Sequence, residues 1–358
     1  MNAKLLLHPD CRHFRGDVPC RPHKQFGVHC DGCQYYEPTD SHILIIKLGA
    51  IGDVIRTTPL LHRLRAEHPR SMIWWLTHSP EMLPPQVDVK LKFSPEALTP
   101  LYSVRFSRLY NLDKEREACA LAHQLTAQIK KGFTLRDGKC APVDRDAEQK
   151  FNTGIFDDLN KANTKSYPQE IFEMCGMDFR GEKYILPFKP WTDKKWKLNK
   201  KRKVVGLNTG CGDRWTSRLW PTEYWVATVK QLRKLGYEIV LLGGELEHSK
   251  NLAIARKSGA RYFGHYPLQQ FINLVNQCDL VVTAVTMAMH ITIGLGKKIV
   301  LFNNIFNKHE FELYGLGEIL EPDFDCTCFY SPTCPNNCMQ YLKPDEVVRT
   351  IQRLLPRT

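Results

Sequence analysis

The sequence predicts an α/β protein made of two successive halves, each a parallel sheet with helices on both faces. Three observations carry this. Short β-branched runs alternate with amphipathic helical stretches from Ser41 onward. The first run ends in a glycine turn that opens straight into a helix. The alternation stops at a basic stretch, residues 189–203, and restarts beyond it.

Residues 1–40 read as neither helix nor sheet. They carry Cys11, Cys20, Cys30 and Cys33 among Pro, Gly, His and Arg, and such a segment needs a staple because it cannot build a core. Ile43–Lys47 is a buried strand. Gly49-Ala50-Ile51-Gly52-Asp53 turns into a helix over 53–68 with Val54, Ile55, Thr58, Leu61 and Leu64 on one face, Pro59 as a kink and Pro69 as its end. Met72–Thr77 is the next strand and completes a βαβ unit. Arg108–Asp113 is a further strand ending in an acid. Glu115 to Lys131 reads as a helix stopped by Gly132, and 133–180 as short helices and loops.

Residues 189–203 hold eight Lys or Arg against one Asp and mark the domain boundary, as a solvated linker or as a phosphate- or membrane-facing strip. Beyond it come strand Val204–Asn208, helix Thr222–Leu235 between Pro221 and Gly236, and strand Glu238–Leu242 ending in Gly243-Gly244. A helix from Glu245, a helical stretch Phe271–Gln277, strand Leu280–Thr283, helix 286–295 and strand Lys298–Phe302 follow. The last helix, Asp345–Leu355, has an apolar stripe that must dock on something. The expected division is an extension at 1–40, a first domain at 41–190, a second at 191–342, and a final helix at 343–358 packing back on the first. Strands alternating with helices make both domains Rossmann-like, with ligands beyond the carboxyl ends of the strands.

Composition narrows the function. With 358 residues, 43% hydrophobic and 25% charged, the chain has the make-up of a globular protein with sizeable cores. No apolar run approaches the roughly 18 residues of a membrane helix, and the leucines at 5–7 are too few for a secretory core, so the expected location is the cytoplasm. The net charge of +12 favours anionic partners, with plain solubility as the alternative.

Four stretches carry candidate chemistry. In Gly49–Asp53 the aspartate is either a helix cap or a base. The turn is neither the Gly-x-Gly-x-x-Gly fingerprint nor a P-loop. In Asn208–Pro221, small residues with Arg214 and Arg218 precede a helix start and suit a diphosphate, or form a surface loop. Gly243-Gly244-Glu245-Leu246-Glu247 lets a ligand approach the backbone beside an acid that can accept ribose hydroxyls. In Thr283–His290 a strand runs into a polar helix start; Thr286 caps it or binds phosphate, and His290 reads first as a core residue.

In this order the motifs resemble the bacterial lipopolysaccharide heptosyltransferases of glycosyltransferase family 9, over about Ser41 to Arg353. Ile51-Gly52-Asp53 and Thr58-Pro59-Leu60-Leu61 match that family's first turn and Pro-containing helix. Arg218-Leu219-Trp220-Pro221, Gly243 to Glu247 and Thr286 to His290 match its later motifs. The resemblance implies a GT-B enzyme, two Rossmann-like domains with a central cleft. A nucleotide-diphosphate sugar, typically ADP-heptose, is implied on Thr209, Gly210, Arg214, Arg218, Gly243, Gly244, Glu247, Thr286, Met287 and His290. An anionic glycolipid or saccharide acceptor is implied near Lys47, Gly52 and Arg56. The transfer is inverting, with Asp53 taking the acceptor proton and no catalytic metal. The enzyme would work at the inner face of the cytoplasmic membrane, and no nucleic acid is a partner. Val285 stands where the family usually has an aspartate, and the Cys-rich extension has no counterpart there. The alternative is a nucleotide-sugar or anion-binding protein of the same fold without catalysis.

Thirteen cysteines are many. Cys119, Cys140, Cys175, Cys211 and Cys278 read as single packing thiols. Cys11-x8-Cys20-x9-Cys30-x2-Cys33 and Cys326-x-Cys328-x5-Cys334-x3-Cys338 read as metal groups for structural zinc or an iron–sulfur cluster, or as reduced structural thiols.

Overall fold

The structure, a computed structural model, describes residues 6–188 and 195–356. The expected boundary near 190, with the start of the basic stretch, and the first of the three leucines lie outside the described residues. The chain divides into two compact units. The first takes the described residues up to Ala50, with Pro59–Phe151 and Phe172–Met177; the second takes Ile51–Thr58, Asn152–Ile171 and the described residues from Asp178 on.

In the first unit, β1 (Ser41–Ile46), β2 (Ser71–Thr77), β3 (Val89–Lys92), β4 (Phe106–Asn111), β5 (Ala127–Arg136) and β6 (Lys139–Pro142) form one sheet in the order β3-β2-β1-β4-β5-β6. All neighbours are parallel except the β5–β6 hairpin. Ile43 to Ile46 are fully buried, as a parallel strand covered on both faces requires. Leu44, Ile46, Leu76, Phe106 and Leu109 share a core with Leu121 and Leu125. Helices α1 (Arg21–Phe26), α2 (Ile51–Thr57), α3 (Leu60–Glu67), α4 (Pro95–Leu101) and α5 (Arg116–Gln124) fall along this part of the chain, with α2 counted in the second unit.

The predicted helix 115–131 is corrected: α5 ends at Gln124, and residues 127–136 are the strand β5 paired with β4. Gly132 is not a helix stop. At φ +89° it lies so close to the Asn111 carbonyl that any side chain would overlap it, a close approach that only glycine allows. The Cys-rich extension is anchored to this unit. Arg12 donates to Asp88 at 2.8 Å, to Pro69 O at 3.0 Å and to Ser71 O at 3.2 Å, and Cys11 bridges to Pro38.

Helices α6 (Glu148–Thr153), α7 (Asp157–Ala162) and α8 (Tyr167–Met174) precede the second sheet. That sheet holds β7 (Val204–Asn208), β8 (Glu238–Leu242), β9 (Arg261–Tyr262), β10 (Leu280–Ala284), β11 (Lys298–Phe302) and β12 (Gly317–Leu320). Its order is β12-β11-β10-β7-β8-β9 and all neighbours are parallel. The connecting helices are α9 (Thr222–Lys234), α10 (His248–Ser258), α11 (Leu268–Asn276) and α12 (Met287–Gly294), and α13 (Pro344–Leu354) ends the chain.

The expectation that the last helix returns to the first domain is corrected. Val347, Val348 and Ile351 of α13 enter the second unit's own core with Trp220, Trp225 and Phe302. The apolar stripe finds the nearest large aromatic surface, and Trp220 Nε1 donates to Leu342 O at 2.9 Å to fix the approach. No helix among the described residues is long and apolar enough to cross a membrane.

Candidate active site and cysteine centre

Each sheet reverses its winding once, between β1 and β4 in the first unit and between β7 and β10 in the second. Crevices of doubly wound sheets open at such points. In the first unit the point is filled from within. Lys47 is buried and its Nζ lies 2.5 Å from Asp113 Oδ1. Asp113 Oδ2 accepts from the amides of Leu48 and Gly49. Lys47, expected on the acceptor side, is thus paired inside its own unit. Asp113, seen in the sequence only as the acid after a strand, shapes the glycine turn.

Asp53 lies on the short helix α2, within the second unit. Arg56, one turn on, pairs with Asp53 Oδ1 at 2.6 Å, while the Asp53 side chain keeps 31% of its surface exposed. The Arg56 guanidinium stacks on the Tyr167 ring, 3.4 Å from its centroid. Burial alone would push this guanidinium down, but Asp53, then Tyr167 and Glu310, push it up. The cation is permanent, and it holds the carboxylate in one orientation.

Gly52 touches α12. A Cβ there would meet His290 Cδ2 at 2.5 Å, so only glycine lets α2 approach. His290 is buried, lies tilted against the Tyr184 ring with centroids 5.9 Å apart and has an Nδ1 without a partner among the described residues. Burial, helped by the charge of Arg56, lowers its pKa from 6.5 to about 3, so the ring is neutral. His290 is therefore more than the core histidine of the first reading: it is the surface against which α2 is set.

The loops at the carboxyl ends of β7, β8 and β10 interlock through hydrogen bonds. Asn208 Nδ2 donates to Thr283 Oγ1 at 3.0 Å and to Thr286 Oγ1 at 3.4 Å. Thr286 caps α12, accepting from Ala288 N at 3.2 Å. Thr209 Oγ1 donates to Asn251 Oδ1 at 2.6 Å, and Lys250 Nζ to Thr209 O at 2.7 Å. Glu247 accepts from Gly244 N at 2.9 Å, and its carboxylate covers Gly210 so closely that a Cβ there would overlap it. Gly243 likewise faces the Glu247 Cβ, at 2.8 Å from where a side chain would start. Gly210 and Gly243, one from each motif, are thus explained by one glutamate. Met287 is half-buried at the start of α12.

The two arginines of the β7–α9 loop differ. Arg214 is exposed beside the Trp215 ring. Arg218 is buried and donates to the carbonyls of Val285, Cys211 and Trp215. It ties the β7 loop to the β10 loop, so Val285, at the position where the resemblance expects an acid, contributes its carbonyl. Asn208, Lys250 and Asn251 were not singled out from the sequence; only their placement at strand ends and on α10 gives them a role.

Cys326, Cys328, Cys334 and Cys338 converge, with their sulfurs all within 4.8 Å of one another. Cys326 and Cys334 are 3.5 Å apart, Cys328 and Cys338 3.7 Å. Asn304 Nδ2 donates to Cys338 Sγ at 3.2 Å and Cys338 N to Cys334 Sγ at 3.5 Å, and such donors stabilise thiolates that hold a metal. Burial resists ionisation of Cys326, but hydrogen bonds from its neighbours hold it at about 7. The group packs with Ile305, Trp215 and Phe306. It also braces the β7–α9 loop, where Ser217 Oγ donates to Ser331 O at 2.8 Å. A four-cysteine set of this size can bind a metal ion. Cys11, Cys20, Cys30 and Cys33 do not close in this way.

The family model for glycosyltransferase family 9 (heptosyltransferase) matches residues 178–310. It is this stretch, just over a third of the chain, that resembles glycosyltransferase family 9 in sequence. The family 9 region includes the β7, β8 and β10 loops with Thr209, Glu247 and His290, while Asp53 lies before it. The chain is accordingly a glycosyltransferase of heptosyltransferase type. Solved structures share the GT-B fold. A family 9 glycosyl transferase from Veillonella parvula DSM 2008 has a TM-score of 0.67 at 18% identity, over 89% of this chain and 98% of that one. The E. coli ADP-heptose lps heptosyltransferase II has a TM-score of 0.62 at 17% identity, over 88% of this chain and 98% of that one. TibC, an iron-containing dodecameric glycosyltransferase from enterotoxigenic E. coli H10407, has a TM-score of 0.57 at 13% identity, over 91% of this chain and 83% of that one. No curated protein matches the chain in sequence.

Proposed function

We propose that the chain transfers a heptose-like sugar, with inversion, from a nucleotide-diphosphate sugar of the ADP-heptose kind to a saccharide of a lipopolysaccharide core or a related anionic glycolipid. The donor diphosphate sits at the β7/β10 edge, against the capped start of α12 and beside the small residues of the β7 loop, with Arg214 over it. The ribose hydroxyls go to Glu247. Asp53 accepts the proton of the attacking hydroxyl as that oxygen bonds to the anomeric carbon and the bond to the diphosphate breaks, releasing the nucleoside diphosphate. Arg56 holds Asp53 in place. The net charge of +12 suits an anionic acceptor presented at the inner face of a membrane. The Cys326 group holds one structural metal ion that stiffens the β7–α9 loop.

The observation that carries this reading is the contact of Gly52 with His290, which sets Asp53 beside the helix whose first turn borders the β7/β10 edge. The test is turnover of ADP-heptose with wild type and Asp53→Asn. The expected result is a fall of roughly 10²- to 10⁴-fold in kcat with donor affinity kept. Equal turnover would remove Asp53 as the base. Donor binding without turnover in the wild type would favour the catalytically silent reading, which Val285 motivates.

A further inference from the structure

Cys11, Cys20, Cys30 and Cys33 take no part in the sugar site or in the cysteine centre near the C-terminus. All four line one cavity of about 310 Å³ in the N-terminal extension. None of their thiols makes a hydrogen bond among the described residues. Of the four histidines that line it, His13 Nε2 faces the Glu37 carboxylate at 3.4 Å and His23 Nδ1 meets Val28 O at 2.9 Å, while the His8 and His29 rings lie against Tyr36 and His23. The four thiols are the soft donors among the residues that line this space.

The second group of cysteines supplies a ruler within the same molecule. A single metal ion with bonds of about 2.3 Å to four sulfurs sets those sulfurs about 3.8 Å apart. The C-terminal set meets this, at 3.5 and 3.7 Å. Among the described residues it is the one set of three or more donors that closes within 4.8 Å. The N-terminal four do not close within that limit, and they line a cavity far larger than the roughly 10–15 Å³ that a single water needs. Wide spacing around a large space is what four thiolates need when irons and sulfides lie between them, each thiolate holding one iron.

We propose that the N-terminal extension is an iron–sulfur domain in which Cys11, Cys20, Cys30 and Cys33 ligate a [4Fe–4S] cluster. The cluster supplies the staple that the coreless extension lacks. Cys11 is adjacent to Arg12, which ties the segment to Asp88. The Cys30–Cys33 turn, closed by Cys33 N donating to Cys30 O at 3.3 Å, presents two ligands from one short loop. Ligation joins these two anchored points through Cys20, at the start of α1.

The test is made on the full chain, produced and purified without oxygen after growth with iron, by measuring iron, zinc and acid-labile sulfide and recording the absorption spectrum. The expected result is about four irons and four sulfides per chain beyond the metal of the Cys326 group, with a broad visible absorption band. Cys334→Ser should keep both sulfide and band, and Cys30→Ser should lose them. Should Cys30→Ser fail to fold, the wild-type stoichiometry and Cys334→Ser decide the matter. Zinc without sulfide, any other iron-to-sulfide count, or loss of sulfide in Cys334→Ser but not in Cys30→Ser would overturn the proposal.

Discussion

The two sheets wind alike, yet the points where their order reverses are built in opposite ways. In the first unit a buried Lys47–Asp113 pair fills the position, and Asp113 takes up the amides of Leu48 and Gly49. In the second the corresponding position is lined by Asn208, Thr283 and the cap Thr286, all neutral, and by glycines covered by Glu247. Donors already spent on an internal carboxylate have nothing to offer a phosphate. A helix start capped by a hydroxyl, beside small residues, still does. The same topology thus carries a self-satisfied joint in one unit and the proposed anion site in the other.

The contrast can be broken first at Asp113. Asp113→Asn leaves Lys47 as a buried charge without its counter-ion, and loss of one partner of such a pair costs about 3–5 kcal/mol. Chemical unfolding should show that loss, while titration calorimetry of nucleoside diphosphate should show unchanged affinity. A matching loss of affinity would mean the first joint is also a ligand site.

His290 gives the next largest effect. Its pKa falls from 6.5 to about 3 on folding, by burial and then by Arg56, so the unfolded chain binds a proton there that the folded chain does not. The associated stability is complete above pH 6.5 and is lost as pH falls from there toward 3, by up to a few kcal/mol. His290→Asn should flatten the pH dependence of unfolding free energy in that window. An unchanged slope would show that His290 does not stay neutral in the folded protein.

A smaller effect belongs to the cap. Thr286→Ala removes the hydrogen bond to Ala288 N and should cost about 1 kcal/mol of stability, and it should weaken nucleotide binding. Thr58→Ala, which loses the bond from Ile185 N to its hydroxyl, should cost a similar amount with no change in nucleotide affinity.

How much of this was legible in the sequence depended on the range of the interactions. Ile43–Ile46, Val204–Asn208 and Leu280–Thr283 announce themselves as buried parallel strands because both faces are apolar. β5 does not: Ala127-Gln128-Ile129-Lys130-Lys131 has helix-favouring residues, and pairing with β4 overrides them. The hairpin behind it had a readable signal in Asp137-Gly138, both at positive φ (48° and 73°). The stripe on the last helix showed that it docks but not on what, since Trp220 and Phe302 come together only in the fold. Lys47 was placed on the acceptor side because its partner, 66 positions away, is brought to it only by the fold. Arg218 looked like a phosphate ligand because its carbonyl acceptors belong to two different loops. Gly210 and Glu247 were both singled out, but only the structure stacks one on the other.

That stacking offers the most direct measurement of the account, which holds that the open joint of the second unit binds the donor's nucleoside diphosphate. Titration calorimetry of ADP into wild type and Gly210→Ala compares the joint intact and with Glu247 pushed aside. The account predicts binding by the wild type, weakened at least about tenfold in the variant, a difference of about 1.4 kcal/mol. Absence of ADP binding in the wild type, or equal affinity in a folded Gly210→Ala, would contradict it.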